Sequence, residues 1–544
     1  MIKRILAVLL CALWIPAAVS EDYLPKRYPL NEKGEAIIDD ISFFGEEEYD
    51  DNNRVFYEIF VGSFSDSDGD GVGDLRGIIN RMDYLNDGNP SSGVSLGVEG
   101  IWLTPIFQSP SYHKYDVTDF YAIDPAFGTM DDLRELIEIC HERDVKLILD
   151  LPINHTSTQN KWFVNFINSH ILNNPQNAYF DFYSWRSEGE DTPAGTHFAK
   201  WPGTRVLYEA NFSDSMPEPD FDNEKVRKVM LDVALYYLEM GVDGFRFDAA
   251  KYIYYGDNEK SVDFWNWYIG ELRKLKPDVY TVAEVWDGEG VVDKYLPVTN
   301  CFNFSLSQVS GLIAETAKAG NVNRFTSYIE SYEEKAKALS ENGMNILFIT
   351  NHDMDRAAGF LTVASGQMKT AANLYLLSPG SPFIYYGEEI GLRGSRGGAN
   401  TDANRRLAML WGDGDTVNNP EGTTYPDNKQ TQYAVNDLIG TSGSIYNHYK
   451  MLIMIRKANP EIARGEYRAL DFKNTKLGGF TSTLNGKTVC VLHNTTGSDI
   501  TVKLSDVTDI CFDILAAQTG YAELNGDEIT VSSQTSVVLR EKQK

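Results

Sequence analysis

Cysteine and histidine are scarce, five and eight among 544 residues, and neither supply suits a zinc module or a disulfide scaffold. Cys11, Cys140, Cys301, Cys490 and Cys511 are scattered without metal-type spacing; Cys490 and Cys511, both in strand-like runs near the C-terminus, are the candidates for a bridge, with buried free thiols the equal alternative. Positive charge is also short. Lys+Arg of 49 against Asp+Glu of 78 leaves a net charge of -29, which argues against nucleic acid or an anionic membrane as partner and leaves a neutral ligand unaffected. Long apolar runs are missing as well. The one near the N-terminus, Ile5 to Val19, is broken by Pro16 and falls short of the about 20 residues that span a bilayer. With its basic start and small-residue end at Ala18-Val19-Ser20, residues 1–20 read as a secretory leader. The mature chain is therefore expected to be secreted, extracellular or periplasmic, with no transmembrane anchor.

The length suits one large domain plus at least one small one. From Arg54 to about Arg456, short apolar runs alternate with amphipathic helical stretches, the signature of βα units. Eight runs, "VFYEIFV", "GIWLTPI", "VKLILDLPI", "VDGFRFDA", "VYTVAEV", "CFNFSL", "NILFIT" and "SPFIYYG", predict an α/β fold with a closed (β/α)8 barrel over 21–460. Helices are expected at "DDLRELIEICHERD" and at "NEKVRKVMLDVALYYLEMG", the latter stopped by Gly241. Residues 156–222, after the third strand, lack helical periodicity and are too long for a barrel loop, so they are expected to form a small inserted subdomain. From 461 to 544 the texture turns to alternating residues with turn signals, predicting a C-terminal antiparallel β-sandwich with a hairpin at Asn485-Gly486 and a last strand pair in "DEITVSSQTSVVLRE".

The stretch "DSDGDGVGD" offers a cage for a hard cation: Asp66, Asp68, Asp70 and Asp74 by side chain, Val72 by carbonyl, with Gly71 at the sharp turn. It is not an EF-hand, because Gly77 stands where the bidentate Glu belongs and the preceding segment reads as a strand.

In such a barrel the chemistry sits at the C-terminal ends of the strands. Asp150 and His155 close or follow the third strand, Arg246 and Asp248 the fourth, Glu284 the fifth, and His352 and Asp353 the seventh. Asp248 and Glu284 end neighbouring strands, which suits the short carboxyl spacing, about 5 Å, of a retaining glycosidase. Asp248, kept ionised by Arg246, would attack the anomeric carbon, and Glu284, protonated at the start, would donate to the leaving oxygen. His155 and His352 would hydrogen-bond sugar hydroxyls, with Asp353 gripping two more as the ring flattens.

The motifs "DLPINH", "GFRFDAAKY", "AEVW" and "FITNHD", in that order, resemble the four main motifs of the α-amylase family of glycoside hydrolases, and the likeness runs from Arg54 to the C-terminus. The resemblance implies Asp248 as nucleophile, Glu284 as acid/base and Asp353 as transition-state stabiliser, supported by Arg246, His155 and His352. It implies that His113 and Tyr115 line the sugar subsite, that Lys251 touches an acceptor-side sugar, and that the aspartate-rich loop is a structural calcium site. A second family calcium site is only partly matched, by Asn154, since "MPEPDFD" and Tyr252 depart from its pattern. Ala249 after the nucleophile implies α-1,4 rather than α-1,6 links, hence an α-glucan or maltooligosaccharide substrate. The most similar group is secreted bacterial α-amylases, acting as monomers on internal bonds. Asp116 and Arg406 also match the clamp of exo-acting α-glucosidases, and a glucan transferase would share the same intermediate. A non-catalytic binding or transporter protein fits less well, because all three carboxylates are present.

Overall fold

The structure is a computed structural model that describes residues 49, 51–89, 95–364, 366–414, 417–439, 441 and 443–541; the leader expected over 1–20 lies outside them. Among the described residues no helix is long and apolar enough to cross a membrane. Eight parallel strands, β1 (Phe56–Ile59), β2 (Gly100–Leu103), β3 (Lys146–Leu151), β4 (Gly244–Phe247), β5 (Tyr280–Ala283), β6 (Asn300–Cys301), β7 (Ile346–Phe348) and β8 (Ser381–Tyr385), form one sheet. Its order is β6-β5-β4-β3-β2-β1-β8-β7, and a parallel bridge between Phe302 and Ile346 brings the two ends together. Seven of these strands lie within the predicted runs, and β6 begins one residue before its run, at Asn300.

The barrel interior is aromatic. Phe56, Trp102, Tyr280, Phe302, Phe348 and Phe383 form a buried cluster with Ile148, Val282 and Ile346, and Phe56 stacks on Phe383 at 4.7 Å. Alternation along each strand puts every second side chain inward, so Phe56 fills the lumen while Tyr57 joins the outer core. Gly100 is required beside it, since a Cβ there would stand 2.4 Å from the Phe56 ring. The helix Glu224–Met240 ends at Gly241, whose φ of 114° closes the turn as expected.

Two expectations are corrected. The segment after β3 was expected to lack helical periodicity, yet Lys161–Ile171 is a helix, capped by Asn160 and burying Phe163, Phe166 and Ile167 on one face. Its three-residue apolar stripe is too short to stand out in the sequence. A three-stranded antiparallel sheet, with Val206–Glu209 between Trp185–Ser187 and Phe198–Lys200, completes this region. At the C-terminus the Asn485-Gly486 hairpin is present, both residues at positive φ. The last two strands do not pair with each other: Glu528–Val531 lies in a three-stranded sheet and Ser536–Glu541 in a five-stranded one. The core between them includes Leu492, Phe512, Ile529, Val531 and Leu539. Cys490 is buried, Cys511 is exposed, and both are free thiols.

The five-stranded sheet is fastened to the catalytic unit by a buried ion pair. Arg540 donates to both carboxylate oxygens of Glu461 at 2.8 Å and to Asn459 at 3.0 Å. Removing one member of such a pair strands the other charge, at about 3–5 kcal/mol. Arg540→Ala is therefore expected to lower stability to denaturant by about that amount, and a loss under ~1 kcal/mol would show that the pair is solvated.

Candidate active site

The strand ends bring the predicted residues around one guanidinium. Arg246 comes from β4 and is 0% exposed. Its Nη1 donates to Asp150 at 2.9 and 3.1 Å and to Asp248 Oδ1 at 2.6 Å, and its Nη2 lies 3.1 Å from Glu284 Oε2. Asp248 and Glu284 thus sit on the two terminal nitrogens of the same planar group, which fixes them close together on one side of the cleft. The β4–β5 pairing sets this register, matching Phe247 with Ala283 just before the two acids.

Backbone geometry contributes as well. Ala249, immediately after Asp248, is left-handed at φ 48°, ψ 37°, and its N–H donates to Glu284 Oε2 at 3.0 Å. A β-branched residue is an outlier in that conformation, which gives a physical reason for a small side chain here.

The electrostatics follow from burial and pairing. Burial pushes the Asp150 carboxyl up to about 7 against the pull of Arg246. Burial also raises Asp248, and Arg246, through its charge and its hydrogen bond, opposes this rise. Glu284 is raised by burial and by the neighbouring Asp248 and Asp353, with Arg246 acting the other way. Asp353 differs: burial works to raise it, but His352 at 3.0 Å and Arg406 at 2.7 Å outweigh that and hold it well below the usual carboxylate range. His155 is pushed down to about 4 by burial and is neutral, and its Nε2 has no hydrogen-bond partner.

A cleft of about 870 Å³ opens onto Asp248, Glu284 and Asp353 and is lined also by His113, Tyr115, His155, Lys251 and Arg406. A second lobe of about 660 Å³ continues past Trp286, Asp353, Arg396 and Asp402. Other predicted residues stand elsewhere. Asp150, 0% exposed, lies beneath Arg246 and anchors it, so it does not face a ligand. His352 is likewise buried behind Asp353. Asp116 is buried and accepts hydrogen bonds from the Ser109 and Ser111 hydroxyls. Lys251, on the cleft wall, also holds the loop after β5, donating to the Trp286 carbonyl at 2.8 Å and to Asp287 at 2.9 Å.

Several site residues escaped the sequence reading. Trp286 is 41% exposed and stacked on Phe304 at 4.9 Å, and Phe212 is 47% exposed between His155 and Tyr252. Such exposed rings are platforms for sugar faces. Glu58 of β1 is buried and bonds His352; its one signal was an acid inside an otherwise apolar run.

At the aspartate-rich loop, Asp66, Asp68 and Asp74 place carboxylate oxygens within 4.8 Å of one another. Asp74 also caps the helix Leu75–Asn80 through the Gly77 N–H at 2.6 Å. Asp70 falls outside that group, its carboxylate accepting from the Val72 N–H at 2.7 Å. Three clustered acids with all-oxygen donors fit calcium.

The model of the alpha amylase catalytic domain matches residues 58–465. "Alpha-amylase 3" of Dictyoglomus thermophilum is 37% identical over 449 residues, 81% of this chain and 84% of that protein. The "4-alpha-glucanotransferase" of Thermotoga neapolitana is 34% identical over 64% of this chain and 74% of its own. Among solved structures, "Eubacterium rectale Amy13B" superposes with a TM-score of 0.83 at 32% identity, covering 93% of this chain and 98% of that one. The chain belongs to the α-amylase family of glycoside hydrolases.

Proposed function

We propose that the protein is a retaining hydrolase of α-1,4-glucosidic bonds in starch and maltodextrins, acting within the chain as an α-amylase does. The observation that carries this reading is the single guanidinium holding two carboxyl groups at the mouth of a cleft that extends both ways. Asp248 attacks the anomeric carbon to form a glycosyl-enzyme ester. Glu284, its carboxyl raised, gives a proton to the leaving oxygen and then takes one from water. Asp353, an anion braced by two cations, holds sugar hydroxyls as positive charge develops on the ring. His155 offers its unpartnered Nε2 to another hydroxyl.

The arrangement of Asp116 supports internal over terminal cleavage, because its carboxylate is engaged by two serine hydroxyls and Arg406 is engaged by Asp353. Glucan transfer is the second reading, supported by the Thermotoga relative's name and by the lobe beyond Trp286, which has room for an acceptor sugar. The leader segment supports export, and the chain is taken to act as a monomer. Asp66, Asp68 and Asp74 would hold a calcium ion as a staple between β1 and the first helix; the ion supplies fold stability and no chemistry.

A maltoheptaose blocked at its non-reducing end is expected to be cut internally as fast as the unblocked sugar. Glucose released from the unblocked sugar alone would make the enzyme exo-acting, and longer oligosaccharides from either would make it a transferase. EDTA is expected to lower the melting temperature. With calcium a hundredfold above its dissociation constant the stabilisation is about 2.7 kcal/mol, and Asp68→Asn is expected to abolish most of the EDTA effect. An unaltered EDTA shift in that variant would place the ion elsewhere.

A further inference from the structure

Glu58 is an acid in a strand otherwise made of apolar residues, and it is buried at the barrel's C-terminal end. Its Oε1 accepts from the Nδ1–H of His352 at 2.6 Å and lies 3.3 Å from the same residue's backbone N–H. The other ring nitrogen, Nε2, stands 3.0 Å from Asp353 Oδ2 and 2.7 Å from the Tyr115 hydroxyl. An ionised carboxylate only accepts. Burial raises the Glu58 carboxyl and its contact with His352 opposes that rise; with both neighbouring carboxyls ionised, a ring flanked by one at each nitrogen carries a proton on both.

The rest of the chain of hydrogen bonds takes its direction from that. Nε2–H donates toward Asp353 and the Tyr115 oxygen, which frees the Tyr115 hydroxyl hydrogen for Asp150 Oδ2 at 2.9 Å. Two cations face the imidazole and oppose a third charge: Arg246, packed over the Trp102 ring that the imidazole also meets, and Arg406, whose Nε donates to the His352 carbonyl at 3.1 Å. Asp248 faces the same group from β4. Burial works to lower the imidazole, but the contacts with Asp353 first and Glu58 second outweigh it, and the imidazole is pushed up to about 10.

We propose that Glu58 is a positioning residue that keeps His352 an imidazolium, and through it fixes Asp353 as an oriented anion facing the substrate. The protonation state follows from the two carboxylate contacts of the ring, and only its kinetic consequence rests on the glycosidase reading. A glutamine at 58 keeps the shape and removes the charge. With Nδ1–H bonded to its amide oxygen, Nε2 is left bare against the Asp353 carboxylate, two acceptors face to face, and Asp353 turns away or takes up a proton. Either loss falls on the transition state more than on bound substrate.

The test is nitrogen NMR of histidine-labelled protein at pH 8, with the His352 signals identified by their absence in His352→Gln. The wild type is expected to show both His352 nitrogens protonated, and Glu58→Gln a neutral ring. In the same variant kcat on maltodextrin is expected to fall about ten- to hundredfold with KM within about twofold. Because the raised pKa drops toward its ordinary value, the alkaline limb of the rate profile moves to lower pH. A neutral His352 in the wild type at pH 8 overturns the proposal. So does a Glu58→Gln enzyme with an unshifted alkaline limb and unreduced kcat. If the variant does not fold, the wild-type spectrum decides, and if the chain does not hydrolyse glucans, the same spectrum still reads the Glu58–His352 link.

Discussion

A guanidinium withdrawn from water must be matched by negative charge within contact distance, because an unpaired ion in a low-dielectric interior costs several kcal/mol. Arg246 meets that demand with Asp150, Asp248 and Glu284. Near the arginine the carboxyl groups of Glu58, Asp150, Asp248, Glu284 and Asp353 meet the cations Arg246, Arg406 and His352. Burial raises Glu58, Asp248 and Glu284, each against the pull of a neighbouring cation. Asp150 rises to about 7 and Glu284 is raised, while Asp353, gripped by two cations, falls. One fixed positive charge and an uneven supply of partners thus separate an acid that can donate from an anion that cannot.

The fold makes this arrangement possible by what lies under it. The aromatic plug of the barrel packs below the arginine, and the Trp102 indole, its ring centre 5.3 Å from the guanidinium carbon, gives the cation a ring face. Eight parallel strands point their C-terminal ends at one spot, so residues hundreds of positions apart meet there. Glu58 and His352, 294 residues apart in sequence, are the clearest case. Loops then fit the rim for its ligand, Lys251 tethering the Trp286 loop and Phe212 reaching in from the inserted region.

Much of this was legible in the sequence, for identifiable reasons. Each barrel strand is a short apolar run with a polar residue at or just past its end, a pattern that local composition records. The Asn485-Gly486 turn and the Gly241 stop were readable because positive φ selects those residues. Partner choice was not readable. Alternation marks Glu528–Val531 and Ser536–Glu541 as strands but carries nothing about which sheet each enters. The anchoring role of Asp150 was hidden for a similar reason: a polar residue beside a catalytic one has the same sequence signature whether it faces the ligand or the residue behind it. Glu58 was hidden within an apolar strand, its partner supplied from the other side of the barrel.

The most direct measurement is the anomeric configuration of freshly released sugar, followed by proton NMR before mutarotation. If Asp248 is the nucleophile and Glu284 the acid/base of a double displacement, configuration is retained, so the first product from an α-linked maltodextrin should be the α-anomer. A β-anomer as first product would mean direct attack by water and would contradict the assignment of Asp248 as nucleophile.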